Sequence, residues 1–161
     1  MDDVLSVFVK IFLVGVALTG GSLYAFSTFI MSALKRLPDP EGIRAMQQIN
    51  ITVFSPFFMV PFFASALFSI GALVVALSHT EDSWWLPLLC AGTCYGLGLF
   101  LVTAIGNVPL NNRLAQVDAD EAASADFWRE YQRRWCNLNH VRSASAVAAV
   151  ILLAQTLWIM G

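Results

Sequence analysis

Charge is scarce in this chain: 9 basic and 11 acidic residues among 161 make 12%, against roughly 25% in soluble domains. With 58% apolar side chains, that composition excludes a disordered chain, a collagen and an ordinary soluble globule. A net charge of −2 and a pI near 5.5 offer no phosphate-neutralising surface, which argues against nucleic acid as a partner. Cysteine is also sparse. Cys90, Cys94 and Cys136 form an odd set without a Cys-x-x-Cys pair, so neither a redox centre nor a structural zinc site is indicated. Cys90 and Cys94 share a helix face and read as small packing residues. No nucleotide-binding glycine loop, haem-attachment pair or dense His/carboxylate cluster occurs, and no cofactor or metal is expected.

The missing charges are missing in blocks. No Asp, Glu, Lys or Arg occurs from Ile11 to Leu34, Ala45 to Thr80, Ser83 to Asn112, or Ser143 to Gly161. A hydrocarbon layer of about 30 Å needs about 20 apolar helical residues. The expected fold is therefore all-α: one polytopic membrane domain, a four-helix bundle with spans near 11–34, 54–78, 84–106 and 143–160. The first run is too long for a cleaved signal peptide, and Lys35-Arg36 closes it as a stop-transfer flank does. A helix opening at Asp120 or Ser124 and running unbroken into the fourth span is expected to extend beyond the lipid. From Ser124 to Met160 it would measure about 55 Å at 1.5 Å per residue.

Basic residues set the orientation. Eight of the nine fall in the two loops after spans one and three. The positive-inside rule then makes those loops cytoplasmic and puts both termini outside, in a plasma or inner membrane. Inside the spans no charged group and neither histidine sits at mid-depth, which disfavours transport by a charge relay. Small residues at four-residue steps (Ala17, Gly21 and Ala25; Gly92 and Gly96; Ala144 and Ala148) are expected to let helices approach closely. Pro56 and Pro61 should loosen the second span and free carbonyls that need neighbouring donors. Pro109 can end the third and begin a new helix.

Polar information gathers at the cytoplasmic span ends. Asp39 can cap a helix with Pro40 in its first turn. Ile43, Met46, Gln47 and Asn50 then share one face, which suits either an interfacial helix or a pocket wall. Asn107, Asn111 and Asn112 bring amides to the membrane boundary. Trp128, Tyr131, Trp135, Leu138 and Arg142 step by three and four along one stripe. Such a stripe is either packing or a platform for a flat ligand. Asn50, Asn107, Asn111, Trp135, Asn139, His140 and Arg142 are expected to converge at the cytoplasmic mouth, with Arg142 binding an anion.

Four segments in this order also carry a resemblance: Tyr24-Ala25-Phe26-Ser27, Ala45 to Asn50, Asn107-Val108-Pro109-Leu110-Asn111-Asn112, and Trp128…Tyr131…Trp135…Asn139-His140-Val141-Arg142. From about Val14 to Gln155 the chain resembles the anthrone oxygenase-like family of small integral membrane proteins. Ser32 and Ser55 depart from the family's usual Pro and Asn. The resemblance implies four helical spans and, for some members, oxidation of an anthrone to an anthraquinone, a reaction that needs no bound redox cofactor. In such a reaction His140 is the candidate base, since its unperturbed pKa near 6.5 leaves much neutral imidazole. Arg142 would stabilise the oxyanion. Asn50, Asn107, Asn111, Trp128, Trp135 and Asn139 are the candidate substrate contacts. His140 serving only as a helix anchor is the competing reading. The competing function is a non-catalytic membrane module that binds a lipid-like ligand or a protein partner at its cytoplasmic face. The partners expected are membrane lipid and a hydrophobic aromatic small molecule.

Overall fold

A computed structural model describes residues 2–121 and 123–161. Among them there is no strand. Four helices are long and apolar enough to cross a membrane: α1 (Asp3–Leu34), α3 (Pro56–Ser78), α4 (Trp85–Leu114) and α5 (Ser124–Met160). A shorter helix, α2 (Asp39–Thr52), joins the first two. Helix α1 packs on α5 and α3, α3 packs on α4, and α4 packs on α5. Their shared core is built from Phe12, Val16, Ala72, Leu88, Leu99 and Leu153. The outward faces carry exposed Val14, Leu18, Val60, Leu67, Val74 and Ile151. An apolar surface of that extent on a helical protein is a lipid-facing surface.

Helix α5 runs unbroken for 37 residues. Helix α4 is longer than the expected third span: Pro109 opens the α-helical stretch Val108–Leu114, as expected, but the helix continues through it without a break. The turn before this proline, Thr103–Asn107, is π-helical, and the Val108 N–H reaches back to the Thr103 carbonyl. That wider turn accommodates a ring with no N–H to donate. Two further π-helical stretches interrupt the long helices, Phe26–Ile30 in α1 and Cys94–Leu101 in α4.

Other local expectations are corrected. Pro56 stands in the first turn of α3, where a missing N–H costs nothing, and only Pro61 is interior. Near it the Tyr95 hydroxyl donates to the Phe62 carbonyl at 2.7 Å, the kind of cross-helix donor a proline-loosened helix needs. Asp39 is the first residue of α2 and not its cap, a position held by Pro38. Asp120 and Ser124 do not cap α5. Asp120 pairs with Arg44, and the Ser124 hydroxyl donates to the Asp118 carbonyl. Gly92 stands at a close approach as expected, where a Cβ would lie 2.9 Å from the Ser69 carbonyl oxygen, but in α1 the approach differs from the expected stripe. Ala17 and Gly21 are exposed, and a Cβ on Gly21 would meet nothing within 4 Å. At Gly20 a Cβ would stand 2.6 Å from that of Ala146, so α1 and α5 meet there instead.

The polar end of the molecule is a second packed unit. Met31, Ile43, Met46, Leu110, Leu114, Trp128, Tyr131 and Trp135 form its core. Helix α2 lies across this end and is fastened to it. Gln47 Nε2 donates to the Leu114 and Val117 carbonyls at 2.9 Å each, Arg44 pairs with Asp120, and Trp128 sits against Gly42. All three cysteines are unpaired.

Candidate functional site

Between the apolar core and the roof formed by α2 lies a cavity of about 1180 Å³. It is somewhat larger than the roughly 300–1,000 Å³ of a typical small-molecule site. Phe26 and Ile30 of α1, Phe58 and Phe62 of α3, and Met46 and Ile49 of α2 give it apolar walls. Of the eight residues singled out from the sequence, four line it: Asn50, Asn111, Trp135 and Arg142.

Arg142 is the sole charged residue in that wall. It is only 4% exposed, and none of the ion pairs among the described residues includes it. Its guanidinium donates to Asn139 Oδ1 at 2.7 Å and to Thr103 Oγ1 at 3.3 Å. It also lies 5.2 Å from the Trp135 ring centroid, a cation–π contact. Its Nε has no partner. A buried cation without a counter-charge costs several kcal/mol of desolvation that neutral hydrogen bonds only partly offset. Asn50 Nδ2 is a second buried donor without a partner. The polar groups left over at this cavity thus select an oxygen acceptor, and preferentially an anionic one.

Asn111 is held by its oxygen. The Tyr131 hydroxyl and Trp135 Nε1 both donate to Asn111 Oδ1, at 2.9 and 3.0 Å. Two donors on one amide oxygen fix the amide's orientation and leave its NH₂ as the group able to donate. Asn139 is wholly buried behind the wall. Its Nδ2 donates to the Leu23 carbonyl at 2.9 Å and to Ser27 Oγ at 2.7 Å, while its Oδ1 takes the Arg142 bond. Ser27 also meets Ser143 Oγ at 2.9 Å and His140 Nδ1 at 3.1 Å. The chain His140–Ser27–Asn139–Arg142 therefore joins α1 to α5.

Four expected contacts do not reach the cavity. Asn107 is buried beside it, with Nδ2 on the Trp135 carbonyl at 3.4 Å and Oδ1 unpartnered. Trp128 is buried under Gly42 and stacks with Tyr131, so the lower part of the stripe is packing. Asn139 touches the wall only through its bond from Arg142. His140 is exposed and absent from the wall, so it does not offer its imidazole to a ligand held there. Its helical position explains this: with Asn139 and Arg142 both facing inward, the residue between them on the 3.6-residue repeat turns outward.

Sequence reasoning missed Ser27 and Thr103 as partners. Ser27 lay inside a recognised segment, and its short polar side chain at a span end was the available signal. Thr103 stands four residues before Asn107 on the same helix, which would have brought it to the same face. The π-helical stretches had no clear signal, yet two of them carry Ser27 and Thr103. Such bulges are frequent at functional sites. Among the described residues no three of His, Cys, Asp and Glu come together.

Four long apolar helices around a cavity at one polar end define an integral membrane protein with a ligand-sized chamber. The walls of that chamber, an Arg142 cation among aromatic side chains, suit a flat ligand carrying oxygen. The chain belongs to the anthrone oxygenase family, whose model matches residues 52–152. The match includes Asn107, Asn111, Trp135, Asn139 and Arg142, and it is shorter than the stretch from Val14 to Gln155 over which the sequence resembles the family. It begins after Asn50 and leaves out Ser27. No curated protein and no solved structure matches the chain.

Proposed function

We propose that the protein binds a flat, lipophilic aromatic ketone of the anthrone class in this cavity and oxidises its ring methylene with molecular oxygen. The observation that supports the reading most is the single buried guanidinium, Arg142, set without a carboxylate in an otherwise apolar chamber. A methylene conjugated through aromatic rings to a ketone is acidic, because its anion delocalises onto the ketone oxygen. Arg142 stabilises that oxyanion, with Asn50 Nδ2 and the Asn111 amide as further donors. Trp135, Phe58 and Phe62 hold the rings. The proton leaves to water. The electron-rich carbon then bonds to oxygen, the peroxide anion takes a proton back from water, and the hydroperoxide loses water to form the second carbonyl. The methylene thus gives up two hydrogens, one oxygen atom becomes a carbonyl, and the other leaves as water.

Purified protein incubated with an anthrone under oxygen should form the quinone faster than the protein-free solution, with one O₂ consumed per quinone. Binding of the anthrone with no oxidation above the protein-free rate would overturn the enzymatic reading. A ligand-binding membrane module would remain. The orientation is also ours: the polar end with its basic loops lies in the cytoplasm of a plasma or inner membrane, and both termini lie outside. Reporter domains fused after Gly161 should read as extracytoplasmic and one inserted beside Ala119 as cytoplasmic. The reverse pattern would invert the molecule.

A further inference from the structure

The cavity has to be filled from somewhere, and helix α2 covers much of its water-facing side. Helix α2 roofs it, held by Gln47 to two carbonyls at the end of α4, by the Arg44–Asp120 pair and by the Gly42–Trp128 contact. The side between α3 and the end of α4 is different. Helix α3 packs on α1 and on α4 between Trp85 and Leu101, and makes few contacts if any along Val108–Leu114. Three of the wall residues that reach the surface there are large and apolar: Ile51 is 65% exposed and Phe54 73% at the α2–α3 corner, and Val108 of α4 lines the same cavity. Gln48, Thr52 and Asn112 form the polar side of the same rim. Below Phe54 the outward face of α3 continues with Phe57, 94% exposed, and Val60, and below Val108 that of α4 continues with Ile105. The rim is therefore continuous with the lipid-facing surface. A mouth built for solutes arriving from water would not be edged by bare aromatic and branched side chains.

We propose that ligands reach the cavity sideways from the bilayer, through an opening between the α2–α3 corner and the end of α4, with Phe54, Ile51 and Val108 as its rim. This rests on the reading of the cavity as the substrate site. It adds that the substrate is taken from solution in acyl chains, so its membrane partition coefficient sets the working concentration. An apolar ring system then passes tail-side through an apolar gap and turns its oxygen toward Arg142. The roof stays fastened throughout.

Two measurements on protein in phosphatidylcholine vesicles test this. In a background with Cys90, Cys94 and Cys136 changed to Ser, a spin label on Phe54→Cys should collide more with oxygen, which concentrates in lipid, than with a water-soluble nickel chelate. The opposite preference would overturn the proposal. In the second, an anthrone is mixed rapidly with the protein-bearing vesicles without oxygen, at a range of lipid concentrations that separates its partition into the bilayer from its binding. Val108→Trp should slow association and dissociation together, each about tenfold, as a narrowed gate does, and Val108→Ala should speed both. Unchanged association in both variants, or faster dissociation alone in the Trp variant, would make Val108 a mere ligand contact and remove the opening. An anthrone that binds nowhere defeats the functional reading instead, while the spin label still decides whether the rim faces acyl chains.

Discussion

In the apolar half, the Ser69 and Tyr95 hydroxyls close on the backbone carbonyls of Ala66 and Phe62, and Thr156 closes on Leu152. At the polar end, by contrast, the side chains of Ser27 and Asn139, Ser27 and Ser143, Thr103 and Arg142, and Asn111 and Trp135 bond one another across 24 to 116 residues of sequence. The leftovers are distributed just as unevenly. Of the four buried side-chain atoms without a partner among the described residues, Thr19 Oγ1 lies in the apolar half. Asn50 Nδ2, Asn107 Oδ1 and Arg142 Nε lie at the polar end. Ser69 and Thr156 bond a carbonyl of their own helix, which costs little and demands nothing of the tertiary structure, and Tyr95 alone of the three reaches across to a neighbouring helix. A network that buries a cation and leaves donors unpaired lowers stability unless a ligand completes it. The apolar half is arranged to hold, and on the proposed function the polar end is arranged to bind.

The sharpest way to break this contrast is Arg142→Met. If the polar end is built for a ligand, anthrone oxidation should fall about 10²- to 10³-fold, the usual effect of losing an oxyanion donor. Thermal stability should hold or rise, because relief of an unpaired buried charge outweighs the hydrogen bonds lost. Initial rates and melting in the same detergent check both, and a melting temperature that falls with the rate would make Arg142 structural. The apolar half should answer to volume instead. Gly20→Val must push Ala146 away and should cost about 1–3 kcal/mol, whereas Gly21→Val, with open space before it, should be neutral. Equal losses at the two glycines, read by unfolding midpoints, would dissolve the distinction.

Asn139→Leu joins the two regions' logic. It strands the Leu23 carbonyl, Ser27 and Arg142 at once, so stability should drop by about 1–3 kcal/mol. Loss of positioning at Arg142 should appear as reduced kcat with little change in KM. The smallest effect is expected at His140. His140→Gln keeps a partner for Ser27 on an exposed side chain, so stability should stay within about 0.5 kcal/mol. Oxidation at pH 7 should be nearly unchanged. A large loss of activity with intact folding would return His140 to the chemistry and show that the cavity rearranges to reach it.

How far the sequence carries depends on which physical term decides each feature. Span positions follow from charge-free runs because the bilayer penalises every charge by itself, whatever the neighbouring helices do. The unbroken α5 and the stripe from Trp128 to Arg142 follow from a 3.6-residue repeat, which is a local property. Asn111, Trp135 and Arg142 were legible for the same reason: polar and aromatic side chains on inward-facing positions at span ends. What local terms could not decide is which inward side chain finds which partner. Pro109 stays inside α4 because a π turn forms before it. Gly20 rather than Gly21 meets α5 because of the rotation at which α1 docks. Trp128 is buried beneath Gly42 because α2 folds over it, while Asn50 reaches the cavity from the same helix. His140 turns outward because Asn139 and Arg142 claim the inner face of α5. The sequence by itself determined an all-helical membrane chain with its polar chemistry at one end. The tertiary structure alone decided that Arg142 lacks a counter-charge and stands in an apolar cavity, because burial and pairing are properties of several helices at once.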